Sequence, residues 1–131
     1  MDIALAEALT PVLRDLENSG SVIPEVRDHQ WSDVEGQATA MLHSPDGSGQ
    51  GISVMTGDSL AQRIASVTDQ AQEWAVEELC AAGRPTNWPQ CPQHRSSHPL
   101  CAVVRDGRAR WTCPATGDQV TEIGQLGRTE G

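Results

Sequence analysis

Phenylalanine, tyrosine and lysine are all missing from this chain of 131 residues. With no Phe and no Tyr, four Trp supply all the aromatic bulk, and the core must be built mostly of Ala, Val, Leu and Ile. Such a core is feasible but thin, and a metal would help most where large apolar residues are fewest. With no Lys, all nine basic residues are Arg. The codons of the three missing residues are AT-rich, so their joint absence points to a GC-rich genome. Also lacking is any apolar run near the roughly 20 residues that a membrane span needs. Met1-Asp2-Ile3 carries no basic n-region of a secretory signal. The chain therefore reads as cytoplasmic, with no membrane contact. Thiols stay reduced there, so clustered Cys and His point to metal rather than to disulfides.

Positive charge is scarce over most of the chain. Residues 1–83 hold 14 acidic and 3 basic residues, whereas residues 84–131 hold 4 acidic and 6 basic ones. An acidic body repels phosphate backbones and anionic surfaces, so nucleic acid is an unlikely partner for it. The shift in charge falls beside Arg84-Pro85-Thr86-Asn87, which reads as a linker. The expected organisation is an acidic α+β domain over 1–83 and a zinc-ribbon-like unit over 84–131.

Leu5, Leu9, Val12, Leu13 and Leu16 recur at helical steps, which predicts a helix over 2–18. Pro11 removes a donor and crowds the carbonyl of Glu7, so a kink or a restart at Thr10-Pro11 is expected. Residues 22–56 read as extended. Ala38, Ala40 and Leu42 alternate with polar neighbours, Ser44–Gly49 is a turn cluster, and Ile52 and Val54 resume the alternation. Val22, Ile23 and Val26 suggest an earlier third strand. A second helix is expected over 58–82, with Ser59 and Gln62 forming a capping box and Gly83 closing it. Its apolar stripe is Leu60, Ile64, Val67, Ala71, Trp74, Ala75 and Leu79. Three short strands follow, over 100–104, 109–113 and 120–123, with Asp106-Gly107 at the first turn. The fold class is therefore α+β: two helices on a three-stranded antiparallel meander (α-β-β-β-α), followed by a small zinc-ribbon-like β unit.

The chemistry is concentrated late in the chain. Cys91, His94, His98, Cys101 and Cys113 fall within 23 residues, and two of these cysteines open Cys-Pro turns. A zinc ribbon joins two such turns, or knuckles, across a small sheet, with backbone N–H groups aimed at thiolate sulfur. Cys91-Pro92-Gln93-His94 forms one knuckle with His as its second ligand. Cys113-Pro114-Ala115-Thr116-Gly117 resembles the other, with Thr116 where a second Cys would stand. The missing ligand is His98 or Cys101. His98 is preferred because the Ser96-Ser97 segment can loop it back, while Cys101 opens an apolar strand where a thiol is often simply buried. The expected ligands of a structural Zn2+ are Cys91, His94, His98 and Cys113, with Cys101 in reserve. Trp88 and Trp111 flank the two turns and are expected to shield the metal. All four Trp read mostly as core.

Other patterns are missing. There is no His-Glu-x-x-His, and no His-x-Glu paired with Pro-Cys-x-x-Cys, so two zinc-enzyme signatures fail. An open metal position beside Thr116, with Glu122 or Asp118 as base, is the form a small zinc hydrolase would take. Gly47-Ser48-Gly49-Gln50-Gly51 lacks the strand-to-helix context of a phosphate loop and reads as a hairpin tip. His29 and His43 read as surface or edge residues, and Cys80 as a packed thiol near a helix end.

Trp88-Pro89-Gln90-Cys91-Pro92-Gln93-His94, His98-Pro99-Leu100, Trp111-Thr112-Cys113-Pro114 and Ile123-Gly124-Gln125-Leu126 together resemble a group of small uncharacterised actinobacterial proteins. These share a Trp-Pro-x-Cys-Pro-x-His segment, then His-Pro-Leu, then Trp-x-Cys-Pro. The resemblance covers about half the chain, implies metal-ligand roles for Cys91, His94, His98 and Cys113, and implies no activity. The order helix, three strands, helix over 2–82 also resembles a double-stranded RNA-binding domain. That family grips phosphates with a Lys-rich cluster at the start of its second helix, where Thr56–Arg63 offers one Arg beside an Asp. RNA binding by this half is therefore rejected. The expected function is a non-enzymatic protein-interaction or adaptor role with a structural zinc. Arg105, Arg108 and Arg110 would be placed to grip an acidic groove on a protein partner. The alternatives are the small zinc hydrolase and a nucleic-acid-binding regulator acting through the ribbon.

Overall fold

Asp2 opens the first helix, its side chain accepting the amide of Ala4 at 2.8 Å. In the computed structural model, which describes residues 1–19, 21–94 and 97–127, this helix (α1, Ile3–Asn18) runs without a restart. The expected break at Pro11 does not occur. The proline ring faces the C-terminal segment, and a side chain at Gly124 (φ +105°) would lie 3.2 Å from its Cβ. Tertiary packing thus holds the helix across the missing hydrogen bond. Leu5, Ala8, Leu9, Val12 and Leu16 form its buried stripe, and Asp15 is buried among them.

Three strands follow: β1 (Glu25–Asp28), β2 (Gln37–His43) and β3 (Gly49–Met55). They pair antiparallel in the order β1-β2-β3. In β2 and β3 the even-numbered apolar residues Ala38, Ala40, Leu42, Ile52 and Val54 face the core. Pairing Ala40 with Ile52 and Leu42 with Gln50 keeps them on one face. Trp31 departs from the core expectation, being 43 % exposed. Its indole lies over Gly51 on the outer face and donates to the carbonyls of Ala40 (3.1 Å) and Ile52 (3.2 Å).

The second helix (α2, Leu60–Ala81) begins with the expected reciprocal capping box between Ser59 and Gln62. It ends before Gly83, which takes φ +68°. Leu60, the first residue of α2, falls outside the buried stripe at 43 % exposure. Two polar residues instead join the buried face, Thr68 and Gln72. The Gln72 amide donates to the carbonyls of Leu100 (2.7 Å) and Trp88 (3.1 Å), tying α2 to the segment that follows it.

The second meander is β4 (Cys101–Arg105), β5 (Arg108–Thr112) and β6 (Gln119–Glu122), in the order β4-β5-β6. Asp106 (φ 53°) and Gly107 (φ 73°) make a two-residue turn with both residues in the left-handed region, which matches strand twist. The fold is thus α+β, with two helices, two three-stranded antiparallel sheets and a Cys/His cluster in the C-terminal β unit. α2 contacts β3 on one side and β4 and β5 on the other. The buried core is one cluster that runs from Leu5 to Ile123 across residue 83.

Candidate metal centre

The two Cys-Pro turns come together at one end of the second sheet. In the first, the amide of His94 bonds back to the carbonyl of Cys91 at 3.1 Å, closing a tight turn that carries both side chains to one side. In the second, the amide of Gly117 bonds to the carbonyl of Cys113 at 2.8 Å, and the Cys113 amide bonds to the carbonyl of Asp118 at 2.9 Å. β5 ends at Thr112, so its last peptide delivers Cys113 to the same spot. An isolated bridge between Gln90 and Pro99 closes the loop carrying Cys91, His94 and His98. Arg95 and Ser96, in the segment expected to turn His98 inward, lie outside the described residues.

One ligand atom each from Cys91, His94, His98 and Cys113 lies within 4.8 Å of all the others. Nδ1 of His94 is 3.5 Å from Sγ of Cys91 and 3.6 Å from Sγ of Cys113. Nε2 of His98 is 3.9 Å from Sγ of Cys113. Bonds of about 2.3 Å to sulfur and about 2.0–2.1 Å to nitrogen around a tetrahedral ion set S and N about 3.6 Å apart. Three measured edges thus fall close to those of a metal-sized tetrahedron. Both cysteines are buried, and both histidines are half-buried.

The surroundings prepare each ligand. His98 has its Nδ1 3.1 Å from the carbonyl of Pro99. An N–H there donates to that oxygen and leaves Nε2 bare toward the cluster, the usual arrangement of a ligating imidazole. At the other knuckle the Thr116 hydroxyl, which accepts the amide of Asp118 at 3.1 Å, lies beside the Cys113 sulfur, as do the amides of Thr116 and Ala115 and the Cys91 thiol. These donors, with the Thr116 hydroxyl foremost, hold the Cys113 thiol down to about 6 against the opposing effect of burial. Thr116 therefore replaces the second cysteine of its knuckle with a donor rather than with a ligand. Sequence reading registered only the missing cysteine there. The pattern Cys-Pro-x-Thr-Gly carries the signal in hindsight, because the turn aims position 116 at the sulfur.

Cys101 stays outside the cluster. Its sulfur lies 3.3 Å from the Thr112 hydroxyl across the β4–β5 pair. Cys80 is exposed rather than packed. Trp111 is fully buried and meets Trp88 edge to face, with ring centroids 5.6 Å apart. The Trp111 indole N–H donates to Oδ2 of Asp15 at 2.8 Å. The same carboxylate accepts the amides of Gly124 (2.7 Å) and Leu126 (2.9 Å). Asp15 thus fastens the C-terminal sheet to α1. Burial, the largest influence, raises its carboxyl above the ordinary 3.8, while the three donors pull it down.

The three arginines of the ribbon hairpin are largely engaged at home. Arg105 donates to the carbonyl of Gly117 at 2.7 Å, and Arg108 lies 3.5 Å from Glu122. Arg110 is half-buried, with its Nε enclosed. None of the helices among the described residues is long and apolar enough to cross a membrane. Comparison with models of known protein families, with curated proteins and with solved structures finds no match. What the cluster can do therefore rests on its own donor set: two sulfurs and two imidazoles, close enough together to hold one metal ion.

Proposed function

We propose that Cys91, His94, His98 and Cys113 bind one structural Zn2+, and that the chain is a cytoplasmic, non-enzymatic protein-interaction module held in shape by that ion. The observation that carries the reading is the fit of the sulfur–nitrogen spacings to a tetrahedron filled by four protein ligands. Two thiolates and two imidazoles in that geometry suit zinc, which has no redox demand and no preference for square-planar ligands. A zinc hydrolase needs an open position for water and a free base beside it. Here the fourth corner belongs to His98, Glu122 is engaged with Arg108, and Asp118 accepts from the Gln93 amide at 3.4 Å. The kinship to small actinobacterial proteins sharing the Trp-Pro-x-Cys-Pro-x-His segment remains part of this proposal. A structural role agrees with it, because it leaves activity to surfaces rather than to the ion.

The test is metal analysis of the purified full chain together with two variants. One zinc per chain is expected. His98→Ala should lose its metal to a mild chelator far faster than the wild type, while Cys101→Ala should keep it. Equal retention in both variants would overturn the ligand assignment, and a chain purified free of zinc that cannot take it up would overturn the proposal.

A further inference from the structure

Beside the metal cluster, α2 and the segment after Pro99 leave a groove of about 440 Å³. Its walls are Val76 on α2, Pro99 with Leu100, and Pro114 of the second knuckle. Glu73 and Glu77, one helical turn apart and both exposed, stand along one edge. Neither enters an ion pair among the described residues.

The groove is fixed from beneath. Gln72, one position before Glu73, bonds the carbonyls of Leu100 and Trp88, so the α2 wall and the Pro99–Leu100 wall keep their distance. The opposite end is set by His98, a member of the Cys/His cluster, and by Pro114, which follows Cys113. A preformed apolar slot with one acidic edge suits a peptide that places an aliphatic side chain in the slot and a cation over the edge. Acidic peptides would meet Glu73 and Glu77 with like charge, and an apolar segment alone would leave both carboxylates unanswered.

We infer that this groove is the docking site for a basic segment of a partner protein, one that carries Leu or a similar aliphatic residue next to Arg or Lys. The inference rests on the reading of the chain as an interaction module and names the surface it uses. Glu73 and Glu77 supply the selection for positive charge, and Val76, Pro99 and Pro114 supply the apolar contact, with buried Leu100 as the floor. The metal acts at a distance from the contact, by holding His98 and Pro114 in the end wall.

The probes are two peptides, Ac-Arg-Leu-Leu-Arg-amide and Ac-Glu-Leu-Leu-Glu-amide, titrated into the zinc-loaded full chain with amide resonances as the readout. The basic peptide should bind about tenfold more tightly than the acidic one, as two exposed ion pairs allow. It should shift the resonances of Val76 and Leu100. The E73Q/E77Q double variant, altered only at exposed positions, should cut the preference to about twofold or less, and added salt should do the same. Equal affinities, shifts confined to other surfaces, or no binding of either peptide would overturn the groove assignment. Zinc is quantified in the same samples, so failure of the groove with one zinc bound leaves the structural zinc standing, and a zinc-free sample marks failure of the zinc site itself.

Discussion

Two three-stranded antiparallel meanders share one helix, and they are stabilised by different means. The first, β1-β2-β3, turns Ala38, Ala40, Leu42, Ile52 and Val54 toward the core that it shares with α1 and α2, to which α1 gives five buried apolar residues and α2 another five. The second, β4-β5-β6, has Val104 and Val120 exposed and buries Ala109 and Trp111. Around it the segments outside the strands add Trp88, Leu100 and Ile123, along with the two cysteine ligands. One sheet therefore has a conventional hydrophobic layer above it. The other has a few large residues, a polar tether at each side and the Cys/His cluster at its end. Both sheets pack on α2, but the second has fewer buried strand residues of its own and so has more to gain from a bound ion.

The sharpest way to break this comparison is to remove the metal. A structural zinc contributes on the order of 10 kcal/mol of folding free energy, which exceeds anything else in the C-terminal unit. Chelation should strip hydrogen-exchange protection from β4 and β5 while β2 and β3 keep most of theirs. If both sheets lost protection together, the two regions would be one cooperative unit and the contrast drawn above would be wrong. If neither changed, the cluster would hold no structural ion.

The next largest effect is expected at Asp15. Its two oxygens satisfy three buried N–H donors, those of Trp111, Gly124 and Leu126. Replacing it with Ala leaves all three unpaired, and at about 1–3 kcal/mol per buried unsatisfied group a loss of about 3–5 kcal/mol is expected in urea unfolding. Asp15→Asn keeps the shape but turns one acceptor oxygen into a donor NH2; that loss does not vary with pH, so the pH dependence of the difference reports the charge. A carboxyl raised by folding contributes stability that is complete below its unfolded value, near 3.8, and lost as pH climbs through the folded value. The stability difference between wild type and Asp15→Asn should therefore fall as pH rises from about 4. Proton competition for the metal ligands is common to both proteins and drops out of the difference. A difference that stays flat or grows with pH would show that the donors, rather than burial, dominate this carboxylate.

These two devices were unequally legible. The helices, the strands, their turns and the clustering of Cys91, His94, His98 and Cys113 follow from local signals: the leucine spacing of α1, the alternation around Ser44–Gly49, the Ser59 and Gln62 box, and paired Cys-Pro turns. Asp15 and Gln72 carry no such signal. Each is a polar residue beside an apolar helical stripe, and each is buried only because partners that lie far along the chain supply donors or carbonyls. Trp31 and Leu60 fail in the opposite sense, as apolar residues that the three-dimensional outline leaves outside. Periodicity assigns a face to an element, but it does not say how far the neighbouring element extends over that face.

Thr116 lies between these cases and sharpens the comparison on the smallest scale. The sequence pattern marks a position where a ribbon would carry cysteine, and the fold fills it with a hydroxyl aimed at the Cys113 sulfur. If the second sheet depends on its metal, a change in the donors around one ligand should be felt as metal affinity rather than as packing. Thr116 is exposed, so Thr116→Val removes the donor with little cost to the core. Loss of a neighbour of this kind weakens metal binding by about 10–100-fold. The lower end, near tenfold, is expected here because the amides of Ala115 and Thr116 still point at the sulfur. Competition with a chromophoric chelator measures it directly. Thr116→Ser, which restores the hydroxyl, should return the affinity to that of the wild type. A valine variant with unchanged affinity and lowered thermal stability would mean that the threonine serves the turn and not the ion.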